Sequence, residues 1–85
     1  MAKGDAYKDL YMYLKGNKKD RVILSFEEIE LILNRKLPFS AYTYKEWWSN
    51  DITHSQAISW MEAGFKTEMI SDTYEEKKII FNKRL

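Results

Sequence analysis

Apolar positions repeat with a helical period over the first part of the chain: Tyr7, Leu10, Tyr11 and Leu14 stand at i, i+3, i+4 and i+7 and form one stripe. Asp5 can cap this first helix and Gly16 ends it. Asn17-Lys18-Lys19-Asp20 is a polar turn, and the β-branched run Arg21-Val22-Ile23-Leu24 is long enough for one strand only. Ser25-Phe26-Glu27-Glu28 then opens a second helix as a capping box, with Ser25 at the cap and Glu28 at its third position. On that helix Phe26, Ile29, Ile32 and Leu33 share one side, while Glu27, Glu30 and Asn34 make an acidic outer side that repels phosphate. Arg35-Lys36-Leu37-Pro38 breaks it, because the residue before a proline is pushed out of the α region.

Ser40 is the expected cap of a short helix from Ala41 to about Trp48, which carries Tyr42, Tyr44, Trp47 and Trp48, too many aromatics for one buried face. After the turn Ser49-Asn50-Asp51-Ile52, the central helix opens on Thr53-His54-Ser55-Gln56. That spacing predicts a second capping box between Thr53 and Gln56, and Gly64 is the expected left-handed stop. Ala57, Trp60 and Met61 then face inward, Ser55, Ser59 and Glu62 outward, and Gln56 sits at the border. Beyond Gly64 the period becomes strand-like, Phe65, Thr67 and Met69 alternating with Lys66, Glu68 and Ile70. Lys77 to Asn82 forms a second strand, and Ser71 to Glu76 the hairpin loop between them.

Helix, strand, helix, helix and two-stranded hairpin is the order of a winged helix, with the central helix in the recognition position and residues 71–76 as the wing tip. The expected fold is therefore α+β and winged-helix-like: three to four helices, a C-terminal β-hairpin and one short strand after the first helix. A chain of 85 residues has room for one domain, residues 1–85, and one core.

Composition narrows the chemistry. Hydrophobic residues at 45% and aromatics at 15% are too rich for disorder. With no cysteine and one histidine, disulfides, thiolate chemistry and a zinc site are not expected, and no cofactor is implied. The charged, tyrosine-rich start and the lack of a long apolar run point to a cytoplasmic protein without membrane contact. A net charge of +1 is close to balanced, so any nucleic-acid role must rest on local clusters such as Lys18, Lys19 and Arg21, or Lys77, Lys78, Lys83 and Arg84.

His54 is expected to be structural, bonded to Asp51 or a backbone carbonyl. Ser55 cannot be its nucleophile, because adjacent helical residues diverge by about 100°. Asp51, Glu62, Glu68 and Lys66 invite a metal-nuclease reading, but their spacing matches no nuclease signature. Trp47 and Trp48 also diverge, so one belongs in the core and the other covers its edge; with Tyr42 or Tyr44 the outer ring could instead offer a platform to a partner or an unstacked base.

From about Tyr7 to Ile70 the chain resembles a family of small bacterial domains of unassigned function. The matching residues are Leu10-x-x-Tyr13-Leu14, Phe26-x-x-Ile29, Leu37-Pro38-x-Ser40-Ala41 and Trp47-Trp48-x-Asn50-Asp51-x-x-His54-x-Gln56-Ala57-x-x-Trp60-x-x-Ala63-Gly64. The resemblance implies a single bacterial or phage domain and brings no activity with it.

The leading expectation is a non-catalytic domain that binds nucleic acid, duplex DNA first, through the central helix and the basic hairpin. Ser55, Gln56 and Ser59 are the candidates facing the bases, and Lys66, Lys77 and Lys78 the candidates for phosphates. The alternative is a protein-interaction module, a phage or defence-system factor, whose partner docks on Tyr42, Tyr44, Trp47 and Trp48. No small-molecule substrate is expected.

Overall fold

A computed structural model describes residues 7–68 and 73–84. Helix α1 (Lys8–Lys15) buries Leu10 and Leu14 and leaves Tyr7 and Tyr11 half-covered. The proposed Asp5 cap lies outside the described residues. Strand β1 (Arg21–Ser25) runs straight into helix α2 (Phe26–Leu33) through the expected box: Ser25 Oγ accepts from the Glu28 amide at 2.9 Å and Glu28 Oε1 from the Ser25 amide at 2.8 Å. Asn34, not the proline, ends α2. It adopts the left-handed conformation at φ 57°, and the Arg35 amide reaches back to the Glu30 carbonyl at 3.1 Å.

The single helix expected from Ala41 to Trp48 is two pieces. Helix α3 (Phe39–Thr43) starts after Pro38 without help from the Ser40 side chain, and Tyr44 turns extended before a 3₁₀ turn over Lys45–Trp48. The break at Tyr44 sends Trp48 into the core and leaves Trp47 at its edge. Helix α4 (Ser55–Glu62) follows, and Gly64 supplies the left-handed stop at φ 92°.

Strand β2 (Phe65–Glu68), one helical turn α5 (Thr73–Glu76) and strand β3 (Lys78–Lys83) complete the chain. The expected open wing tip thus contains a turn of helix; its positions from Met69 to Asp72 lie outside the described residues. The sheet is antiparallel in the order β1-β3-β2, with Ile23 opposite Ile80 and Thr67 opposite Phe81. Helices with a three-stranded antiparallel sheet make the fold α+β, compatible with the winged-helix-like expectation.

The core is an aromatic column that the sequence scatters over five elements. Trp48 stacks on Phe26 at 4.9 Å and on Trp60 at 6.0 Å, Trp60 meets Phe81 edge-on at 5.7 Å, and Tyr42 meets Phe26 edge-on at 5.2 Å. Leu14, Ala41, Ala57, Phe65 and Ile79 close around it.

Candidate functional site

The turn ahead of α4 is built by side chains. Asp51 Oδ1 accepts from the Thr53 amide at 2.9 Å and from the Thr53 hydroxyl at 2.6 Å, which holds the Asp51 carboxyl below its ordinary range, the hydroxyl bond contributing most. Thr53 is thereby spent, and the Thr53–Gln56 capping box does not form; His54 takes the cap position without a side-chain cap bond. Asn50 fastens the turn to the sheet. Its Oδ1 accepts from Trp60 Nε1 at 3.0 Å and from the Thr67 amide at 2.8 Å, and its Nδ2 donates to the Thr67 carbonyl at 3.2 Å. Trp48 Nε1 donates to the Ala41 carbonyl at 2.8 Å, and the Thr67 hydroxyl to the Trp48 carbonyl.

These bonds enclose α4 on more sides than its own period predicts. The helix packs on α1 and on β2, and the 3₁₀ turn reaches it through Gln56 Nε2, which donates to the Trp47 carbonyl at 3.1 Å. Gln56 is 8% and Ser59 4% exposed, the Ser59 hydroxyl donating to the Gln56 carbonyl at 2.6 Å, so neither can reach a base edge. Ser55 is half-covered, and the exposed side chain of α4 is Glu62. Of the three residues expected to face the bases, Gln56 and Ser59 are therefore covered and Ser55 is half-covered.

The expected phosphate contacts also separate. Lys66 and Lys78 project from the same face of the sheet, but Lys66 lies beside Asn82 and Lys78 beside Ser25, at opposite ends of β3 and about 14 Å apart at 3.4 Å per residue. Lys77, at φ 56°, has its ammonium 6.0 Å from the Tyr42 ring centroid. Around Lys77 and Lys78 stand exposed acids: Glu75 and Glu76 precede them, and Glu27 and Glu28 follow Ser25, the Lys77 carbonyl accepting from the Phe26 amide at 2.7 Å.

At the Lys66 end the register does something the sequence does not display. β1 begins, β3 ends and β2 begins here, held by Lys83 N–H to the Asp20 carbonyl at 2.6 Å and Arg84 N–H to the Gly64 carbonyl at 2.7 Å. Lys18, Lys19, Arg21, Lys66, Lys83 and Arg84 are thereby gathered at one end, all exposed. Arg21 and Lys66 flank Asn82 on one face of the sheet. Among the described residues none of these cations is ion-paired. Asp20, Glu62 and Glu68 are the acids nearby.

The aromatic surface divides as well. Trp48 is 1% exposed and belongs to the core. Tyr42 is fixed inward: its hydroxyl donates to Glu30 Oε2 at 2.8 Å, and burial, then that bond, pushes the phenol up to about 12. Glu30, placed on the outer acidic side by periodicity, is instead turned in. It accepts from the Leu37 amide at 2.9 Å, and chiefly that bond keeps its carboxyl below the ordinary value in spite of burial. Tyr44 is 53% exposed, and half-covered Trp47 packs edge-on against Tyr7. Together Ser40, Tyr44, Glu46, Trp47, His54, Ser55 and the edge of Gln56 line an open groove of about 530 Å³. His54 finds neither expected partner at Nδ1, which is buried without a hydrogen bond among the described residues. No three His, Asp or Glu side chains come together as a metal site among the described residues.

Residues 7–83 match the model of a family described as a domain of unknown function, DUF7662. The chain belongs to this family. Membership accords with the resemblance found in the sequence and adds no activity to it. No curated protein and no solved structure matches the chain. Among the described residues no helix is long and apolar enough to cross a membrane.

Proposed function

We propose that this domain is a non-catalytic nucleic-acid-binding module whose contact surface is the basic end of the sheet. The observation that carries the reading is the convergence of Lys18, Lys19, Arg21, Lys66, Lys83 and Arg84, from three separate stretches of sequence, at one end of a molecule whose net charge is only +1. Cations held near one another, and without ion pairs among the described residues, lower the cost of bringing up a polyanion and release its counterions on contact. Lys77 and Lys78 are excluded from this surface by the carboxylates around them. With Gln56 and Ser59 buried and Glu62 exposed on α4, binding is to the backbone and does not depend on base sequence.

The test is an anisotropy titration of labelled duplexes of differing sequence at about 50 mM and higher salt, with micromolar protein. Binding is expected to be sequence-independent, with log K falling by about 0.9 per phosphate contact for each decade of salt. Reversing charge at Lys83 and Arg84 should weaken binding and flatten that slope by about two contacts, whereas reversal at Lys77 and Lys78 should leave both unchanged. Absence of binding at the lower salt, or equal sensitivity to both pairs, would remove the proposal.

A further inference from the structure

We infer that the groove between the 3₁₀ turn and the start of α4 is a second binding site, which takes an arginine or lysine side chain from a partner protein. This surface is separate from the basic end and independent of the nucleic-acid reading. Its walls are the exposed ring of Tyr44 and the half-covered indole of Trp47, and its charged side chain is Glu46, exposed and without an ion pair among the described residues. A carboxylate that lines the same recess as two rings complements a cation: aromatic rings attract it, and the acid pairs with it. The same carboxylate repels phosphate, so the lining favours a protein partner over a nucleic-acid strand.

The protein already uses this chemistry internally. The Arg35 guanidinium lies 4.9 Å from the Tyr7 centroid and the Lys15 ammonium 5.6 Å from that of Tyr11. Tyr44 has no such cation among the described residues, and it stands, 53% exposed, on the extended link between α3 and the 3₁₀ turn. His54 Nδ1, sheltered beside the groove, is a polar atom that the fold leaves without a bond. A group buried in this way is normally satisfied, but Nδ1 has almost no accessible surface, so an occupant meets the other lining side chains and not this atom. The recess of about 530 Å³ is within the range of sites that hold one long side chain and its neighbours.

The experiment uses the full chain, labelled for amide and indole NMR, titrated with three ten-residue Gly/Ser peptides that carry a central arginine, lysine or norleucine. The arginine peptide should shift the resonances of Tyr44, Glu46, His54 and the Trp47 indole, the lysine peptide less, and norleucine not at all. Tyr44→Ala and Glu46→Gln alter exposed side chains and should keep the parent melting curve, while each weakens arginine-peptide binding by about fivefold. Equal shifts with norleucine would overturn the proposal, as would shifts confined to Glu27, Glu28, Glu75 and Glu76. A dT oligonucleotide that perturbs the groove when the arginine peptide does not would assign the site to an unstacked base and equally overturn it.

Discussion

Asn50 shows how one side chain can fix a site that no local pattern encodes. Its Oδ1 serves Trp60 Nε1 and the Thr67 amide, so it joins the centre of the core to the edge strand. Without it, the indole N–H of a fully covered tryptophan has no acceptor, and an unmade buried bond costs about 1–3 kcal/mol. Asn50→Ala is expected to lower stability by that amount in urea denaturation. The loss should shrink when Asn50→Ala is made in a Trp60→Phe background, because the donor is then gone; additive effects would show that Trp60 does not depend on this bond. Asn50 was readable in the sequence only as a turn former, since its partners lie 10 and 17 residues away. His54 is the reverse case: its expected partner, Asp51, is close in sequence, yet His54 Nδ1 makes no hydrogen bond to it.

Among the elements, two capping-box sequences with the same spacing had different outcomes. Ser25 and Glu28 meet no competition, because β1 delivers the cap directly into α2, and the box forms. Thr53 and Gln56 are both claimed elsewhere, by Asp51 and by the Trp47 carbonyl. Ser25→Ala should therefore cost about 1 kcal/mol, typical of a lost cap, and Thr53→Ala clearly less; chemical denaturation of the pair decides, and equal losses would mean that α4 depends on Thr53 after all. Helix order, strands and both glycine boundaries were legible because they rest on local periodicity and turn chemistry. The buried outer side of α4 and the inward Glu30 were not, because segments distant in sequence cover them. Glu30 also gives the fold a pH dependence. Its folded carboxyl titrates below the ordinary value near 4.5, so its contribution is fully present above that pH and is lost as pH falls through the lower folded value. Glu30→Gln should flatten the decline of melting temperature with acidification over that window, and an unaltered decline would mean that the Leu37 and Tyr42 bonds do not stabilise the connection between α2 and α3.

For the whole molecule, charge and core obey different rules. The basic end of the sheet arises from strand order and register: a one-residue slip of β3 would turn Lys83 to the other face and leave Arg21 and Lys66 where they are, and composition gave no sign of the cluster. The core was legible residue by residue, yet its continuity was not, because the column from Tyr42 through Phe26, Trp48 and Trp60 to Phe81 passes through helices, the 3₁₀ turn and the sheet in turn. That continuity has a consequence for unfolding. Trp48 and Trp60 report the packing of the middle of the column, while backbone circular dichroism reports the helices and strands around it. Melting of α3, α4, β2 or the 3₁₀ turn should disturb the stacked pair, because its two rings come from α4 and the 3₁₀ turn and are bound through Ala41 and Asn50 to α3 and β2. Thermal transitions followed by tryptophan fluorescence and by circular dichroism should therefore superimpose, as for a two-state domain of this size. A fluorescence change that precedes the loss of helix would show instead that the segment from α3 to Trp48 opens on its own, and that the groove it helps to line is a local, separately opening part of the structure.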